Sequence, residues 1–205
     1  MTATAADYVW FNERFPELAR AYCITLVHEL PPAELLRRLA DRGEPALTGI
    51  PELVDAANEF RDRQQDRRTL IALTTIGSWT LMIEPNGYLG VTEEVALPTS
   101  KGTRWVSHYD NHDGNTGGTF LWAQDTNQRL HFELDDPGHR TGSTPDDFLD
   151  AIRHTGFESP EEPAPTDDYP AASAALALAE HLTQVRLTPE LLQNTTFSCG
   201  SSEAW

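Results

Sequence analysis

The chain has 205 residues, 39 % of them hydrophobic, and its 32 acidic against 15 basic side chains leave a formal net charge of -17 at pH 7. A surface of that sign repels nucleic acid and anionic lipid and attracts cations or basic protein partners, so binding to nucleic acid or a membrane is not expected. The imbalance is uneven, with 20 acids and only 6 bases in residues 69–205.

Met1–Asp7 has neither a basic nor an apolar leader segment, and the longest apolar run, Ala174–Ala179, is too short to span a bilayer. A cytoplasmic location is expected. Cys23 and Cys199 are too few and too distant for a disulfide framework or a zinc site, and Cys23, inside Tyr22–Val27, reads as a small buried hydrophobe.

In chain order, Tyr8 through Leu18 predicts an amphipathic helix with aromatic anchors, and Tyr22–His28 a strand. Pro31-Pro32 opens a helix with Leu35, Leu36 and Leu39 on one face and Gly43 as its end. A second helix follows Pro51 and runs to about Asp62, and Arg61–Arg68 reads as a mixed-charge solvated surface. Leu70–Ile76 and Trp79–Ile83 form a predicted hairpin over Gly77-Ser78, and Pro85-Asn86-Gly87 turns the chain. Thr92–Leu97 predicts a short helix, and Thr103–Asp110, Thr119–Gln124 and Arg129–Leu134 a meander of three strands. Asp135-Asp136-Pro137-Gly138 begins a loop, after which Thr144-Pro145 starts a helix that Gly156 stops. Residues 158–170 form an acidic, proline-rich linker. Ala171–Leu182 predicts a strong helix, and Thr188-Pro189 caps a shorter one. Ser198–Trp205 reads as a small polar tail.

The expected fold is α+β: an antiparallel sheet of five or six strands with helices packed on one face. Residues 1–157 would form the core domain, 158–170 the linker, and 171–205 a C-terminal helical segment and tail. Either docking onto the sheet or a detached hook is open to the C-terminal helices.

The order of several stretches resembles an uncharacterised actinobacterial family, a domain of unknown function of the Streptomyces type. These stretches are Tyr22–Val27 followed by Pro32–Leu39, then Trp79–Gly87, Thr103–Tyr109 with Asn111, Ala177–Thr183 and Val185–Leu192. The resemblance implies a shared fold and an actinomycete source, and assigns no catalytic residues and no cofactor.

Three clusters carry candidate chemistry. His108, Asp110 and His112 alternate onto one face of a continuing strand, where they would suit a divalent ion; Tyr109 and Asn111 would join them in a contact loop. Against this, Asp113–Gly118 is ordinary hairpin-loop composition. Glu84, Asn86 and Tyr88 place a carboxylate, a turn residue and an aromatic where they could line a pocket, although Asn86-Gly87 also reads as a plain positive-φ turn. Asp135 and Asp136 stand near His139, a pattern equally expected of a turn after an exposed strand. Gly77-Ser78-Trp79 lacks the second glycine of a nucleophile elbow, and Gly114–Gly118 lacks the lysine and helix of a phosphate loop.

These features predict an interaction protein, more than an enzyme, that binds a basic protein partner, with an immunity-type role as one concrete form. No cofactor is expected, and the oligomeric state is not specified. The alternative is a metal-assisted hydrolase using His108, Asp110 and His112. A further expectation treats Ser198–Trp205, with Cys199 and its serines, as a modifiable peptide on a folded carrier.

Overall fold

Strand-forming sequence accounts for more of the chain than its β-branched runs suggest. The structure, a computed structural model, describes residues 3–64, 68–112, 117–157 and 171–203. Among them, β1 (Ala21–His28), β2 (Arg42–Thr48), β3 (Arg68–Ile76), β4 (Trp79–Pro85), β5 (Arg104–Asn111), β6 (Thr119–Gln124), β7 (Asn127–Glu133), β8 (Asp136–Thr141) and β9 (Thr196–Glu203) form one sheet. Its order is β2-β9-β3-β4-β1-β5-β6-β7-β8, antiparallel throughout. The sheet therefore exceeds the five or six strands expected.

Helices α1 (Trp10–Arg14), α2 (Pro16–Ala19), α3 (Pro32–Leu39), α4 (Gly49–Gln64), α5 (Glu93–Thr99), α6 (Leu149–Thr155), α7 (Ala171–Thr183) and α8 (Pro189–Asn194) accompany the sheet, with 3-10 turns at Ala5–Asp7, Leu89–Val91 and Pro145–Phe148. The single opening helix is divided at Pro16, which lacks the N–H needed to continue α1 and instead takes the first position of α2. Thr188 caps α8 as the sequence predicts, its hydroxyl accepting from the Leu191 N–H at 3.2 Å. Gly156 ends α6 in the left-handed region at φ 111°.

Helices cover both faces of the sheet, not one. Tyr22, Ile24 and Leu26 of β1 join Leu81 and Ile83 of β4 and Phe120 of β6 in a core closed by α4, α6, α7 and α8. The opposite parity, with Val27, Ile71, Leu73, Met82 and Trp105, packs against Leu35 of α3 and Val95 and Ala96 of α5. Strands buried on both faces read as continuous apolar runs, the pattern seen in Leu70–Leu73 and Leu81–Ile83.

Three strands arise where turn or tail was expected. Gly43 lies inside β2, since α3 has already ended at Leu39, and Pro137-Gly138 lies inside β8. Each of these strands is at an edge of the sheet, where proline is tolerated. The expected tail is β9, an inner strand between β2 and β3. Its Cys199, Ser201 and Ser202 are buried, which removes the basis for a modifiable tail peptide. Ser201 donates to Glu44 Oε1 at 2.8 Å and receives the Arg68 guanidinium, which also pairs with Asp41.

The C-terminal helices dock on the sheet. α7 supplies Ala172 and Ala174–Ala179 to the larger core, and the Tyr8 hydroxyl donates to Glu180 Oε2 at 2.6 Å. The expected linker, 158–170, lies outside the described residues, as do Asp113–Thr116 and Trp205.

Candidate functional site

The ends of β1, β4 and β5 meet at one side of the sheet, and the turn leaving β4 shapes what is found there. Asn86 takes a left-handed conformation at φ 58°, and its N–H donates to Ala21 O at 2.9 Å. Just before it, Glu84 is fully buried. One carboxylate oxygen accepts from the Leu89 N–H and the other from the Gly90 N–H, each at 2.9 Å. Desolvation pushes the Glu84 carboxyl up to about 7, with these two hydrogen bonds pulling the other way.

The turn is held down on its far side as well. Trp105 Nε1 donates to Gly90 O at 2.8 Å, and Thr25 and Ser107 exchange a hydroxyl hydrogen bond at 2.8 Å beneath Gly90. Cys23 Sγ lies 3.3 Å from Ser107 Oγ, and burial raises its thiol well above the ordinary range. A Cβ on Gly90 would come within 2.1 Å of Thr25 Oγ1, 2.6 Å of Ser107 Oγ and 2.8 Å of Cys23 Sγ, so only glycine allows this approach. The fully buried cluster of Glu84, Cys23, Thr25 and Ser107 thus positions the turn. Replacing Gly90 with alanine is expected to cost roughly 3 kcal/mol or more by overpacking, measured by urea unfolding.

What the turn presents is Tyr88, 43 % exposed, packed edge-on against Tyr109 at 6.2 Å between ring centroids. Beside this pair a cleft of ≈ 430 Å³ opens at the sheet end. Asn86 comes from the turn, Tyr109 and Asn111 from β5, Asn58 and Arg61 from α4, and Glu17 and Arg20 from α2 and the residue after it. Asn86 Nδ2 donates to Asn58 Oδ1 at 3.2 Å, and Arg20 pairs with Glu17 at 3.4 Å. Three of the residues named from sequence, Asn86, Tyr109 and Asn111, therefore line one cleft, Tyr88 flanks it and Glu84 supports it from below. Sequence reasoning missed Asn58, Arg61 and Arg20. The period of α4 was legible, but its outer face reads as solvated surface until the β4 turn is placed against it.

The remaining candidates lie elsewhere. Asp135 and Asp136 sit at the β7–β8 hairpin on the far edge of the sheet, where Asp136 Oδ2 meets His139 Nδ1 at 2.5 Å. His108 is fully buried, edge-on to Tyr22 at 5.4 Å and parallel to Phe120 at 6.4 Å. Burial drives its pKa down to about 3, so the ring is neutral. Asp110 faces the same core, its carboxyl raised by burial and partly restored by His112, whose Nε2 approaches Asp110 Oδ2 at 3.3 Å. Among the described residues no group of three His, Cys, Asp or Glu side chains stands where it could hold a metal ion.

Among the described residues, Tyr22 Oη and both ring nitrogens of His108 have no hydrogen-bond partner, and Asp110 Oδ2 has only the ion-pair approach of His112. A neutral His108 also binds fewer protons in the fold than in the unfolded chain below about pH 6.5, so its contribution to stability falls with falling pH. His108→Phe is expected to leave stability at pH 7 within about 1 kcal/mol and to relieve roughly 2 kcal/mol of loss at pH 5. Urea unfolding at the two pH values reads both effects, and an equal loss at each would show that His108 has a partner the ring cannot replace.

The architecture is that of an α+β protein on a single nine-stranded antiparallel sheet, with a polar cleft at one sheet end. The model of the Family of unknown function (DUF6461) matches residues 1–204, and the chain belongs to that family. No curated protein and no solved structure matches it. Among the described residues, no helix is long and apolar enough to cross a membrane.

Proposed function

We propose that the chain is an acidic, cytoplasmic interaction protein that binds a basic protein partner, with neutralisation of a toxin by an immunity-type complex as its most concrete form. One observation carries this reading. Among the described residues β8 is an edge strand, paired only with β7, and the strand and the segments on either side of it carry the exposed carboxylates Glu133, Asp135, Asp136, Asp146, Asp147 and Asp150. Arg140 offsets part of that charge through its contact with Asp146 at 2.9 Å. An open edge offers backbone hydrogen bonds to an added strand, and the carboxylates favour one rich in Arg and Lys.

Capture from a lysate of the source organism at low and high salt, followed by binding kinetics with the purified partner, tests the proposal. One stoichiometric basic partner is expected. Converting Asp135, Asp136, Asp146 and Asp147 together to Asn should slow association about tenfold or more at low salt. No salt-sensitive partner, or unchanged kinetics in the variant, would overturn it.

The metal-assisted hydrolase is the second reading, favoured by the buried ring nitrogens of His108, which have no partner among the described residues, near the Asp110–His112 pair. It requires His108 to leave Phe120 and turn toward Asp110. Metal content that is the same in the wild type and the His108→Ala/His112→Ala variant would exclude it.

A further inference from the structure

We infer that the cleft between α4, the β4 turn and β5 is a saccharide-binding site, taking a neutral, hydroxyl-rich ring with one apolar face. This goes beyond the protein-partner reading and does not depend on it, since the cleft and the β8 edge are different parts of the sheet.

The composition of the walls selects the ligand class. Glu17 and Arg20 bring opposite charges that already pair with each other at 3.4 Å, and the Arg61 guanidinium lines the α4 side. A strongly anionic ligand would meet Glu17 as well as the field of a chain with net charge -17. A cationic one would meet two guanidiniums. A neutral polyol meets donors and acceptors on every side.

The carboxamides suit hydroxyls better than they suit ions. Each of Asn58, Asn86 and Asn111 carries both a carbonyl acceptor and an amide donor on one planar group, which can engage two neighbouring hydroxyls at once. The Asn86–Asn58 hydrogen bond uses only one donor and one acceptor, so the pair still offers both kinds of group. That bond also orders the two side chains before a ligand arrives, which lowers the cost of binding.

The aromatic pair supplies the other half of the recognition. Sugars have C–H faces that need an apolar surface, and Tyr109 lines the cleft while Tyr88 stands beside it. Tyr88 and Val9 are the large hydrophobics left exposed among the described residues, and Tyr88 packs on Tyr109 of the cleft wall. The buried clamp of Glu84, Trp105 and Gly90 behind it fixes the turn from which Tyr88 projects. A cleft of ≈ 430 Å³ matches the size of a monosaccharide or disaccharide.

Saturation-transfer NMR on the full chain, with glucose, mannose, galactose and N-acetylglucosamine offered separately, tests the inference. Transfer to the ring C–H protons of at least one sugar is expected. Asn58→Ala changes an exposed side chain of α4 and should leave the fold intact while weakening affinity for that sugar about tenfold, as should Tyr88→Ala. Circular dichroism confirms that both variants are folded. No transfer from any of the four sugars, transfer unchanged in both variants, or displacement of the sugar by equimolar inorganic phosphate or acetate would overturn it.

Discussion

Gly200→Val is expected to destabilise the chain strongly, although it lies in a segment that reads as a tail. A Cβ at this position would approach Leu36 Cδ2 at 2.8 Å, and Ala40 Cβ and Arg42 O at 2.9 Å. Two of these contacts are with α3 and the turn that follows it, and the third is with the backbone of β2, which pairs with β9. No single rotamer change relieves all three, so α3 or β2 must shift. The expected cost is about 3 kcal/mol or more, a large share of the total stability of an ordinary domain. Ser198→Val, at an exposed position in the same strand, should stay within about 0.5 kcal/mol. Urea midpoints of the two variants separate a buried inner strand from a dispensable tail. Equal, small effects would mean that β9 does not hold the sheet together.

The second large effect is a pH dependence carried by Glu84. Its carboxyl titrates at about 7 in the fold, against 4.5 as the ordinary value. Between those values the folded chain keeps a proton that the unfolded chain has lost. Stability from this group is therefore complete below about pH 4.5, declines as pH rises, and reaches its floor above about pH 7, for a loss of roughly 3 kcal/mol. Cys23 remains a thiol throughout this range, because burial raises it well above its ordinary value. Glu84→Gln removes the titration. It also leaves one acceptor oxygen for the two N–H groups of Leu89 and Gly90, at a cost of about 1–3 kcal/mol. The wild type should therefore be the more stable at pH 5, and by pH 8 the difference should shift by roughly 2.5 kcal/mol in favour of the variant, closing or reversing the gap. Taking the difference between the two proteins cancels the opposing contribution of His108. A gap that does not change with pH would show that the Glu84 charge is compensated in the fold.

Strands that identify themselves in the sequence do so through their side chains. β1, β3, β4, β5, β6 and β7 carry β-branched and aromatic residues in runs bounded by turns, and all six were legible. β9 reads Thr-Phe-Ser-Cys-Gly-Ser-Ser-Glu and has almost none of that signal. What makes it a strand is its neighbours: Gly200 fits beneath Leu36 and Ala40, and Ser201 answers Glu44 and Arg68. Those small residues are a consequence of tertiary packing, which local propensity does not report. β2 and β8 carry proline or glycine because they are edges, so they resemble loops.

The candidate site divides in the same way. Asn86, Tyr109 and Asn111 were visible because a turn and a strand end announce themselves locally. Asn58 and Arg61 lie about thirty residues before Asn86, on a helix face that looks like solvent until the fold brings it to the turn. His108 and Asp110 share a face as their spacing predicts, yet that face is the core one, closed by Tyr22 and Phe120.

The position of β9 also sets a timetable. β2 has β9 as its strand neighbour, and β3 meets β9 on the side away from β4, yet β9 is made roughly 120 residues after β3 and 150 after β2. On the ribosome, β2 must therefore wait for β9 while the roughly 150 residues between them are translated. The sheet closes only once Thr196–Glu203 has been made, and a nascent chain stalled before Thr196 would expose the edge of β3 to chaperones and to other copies of itself.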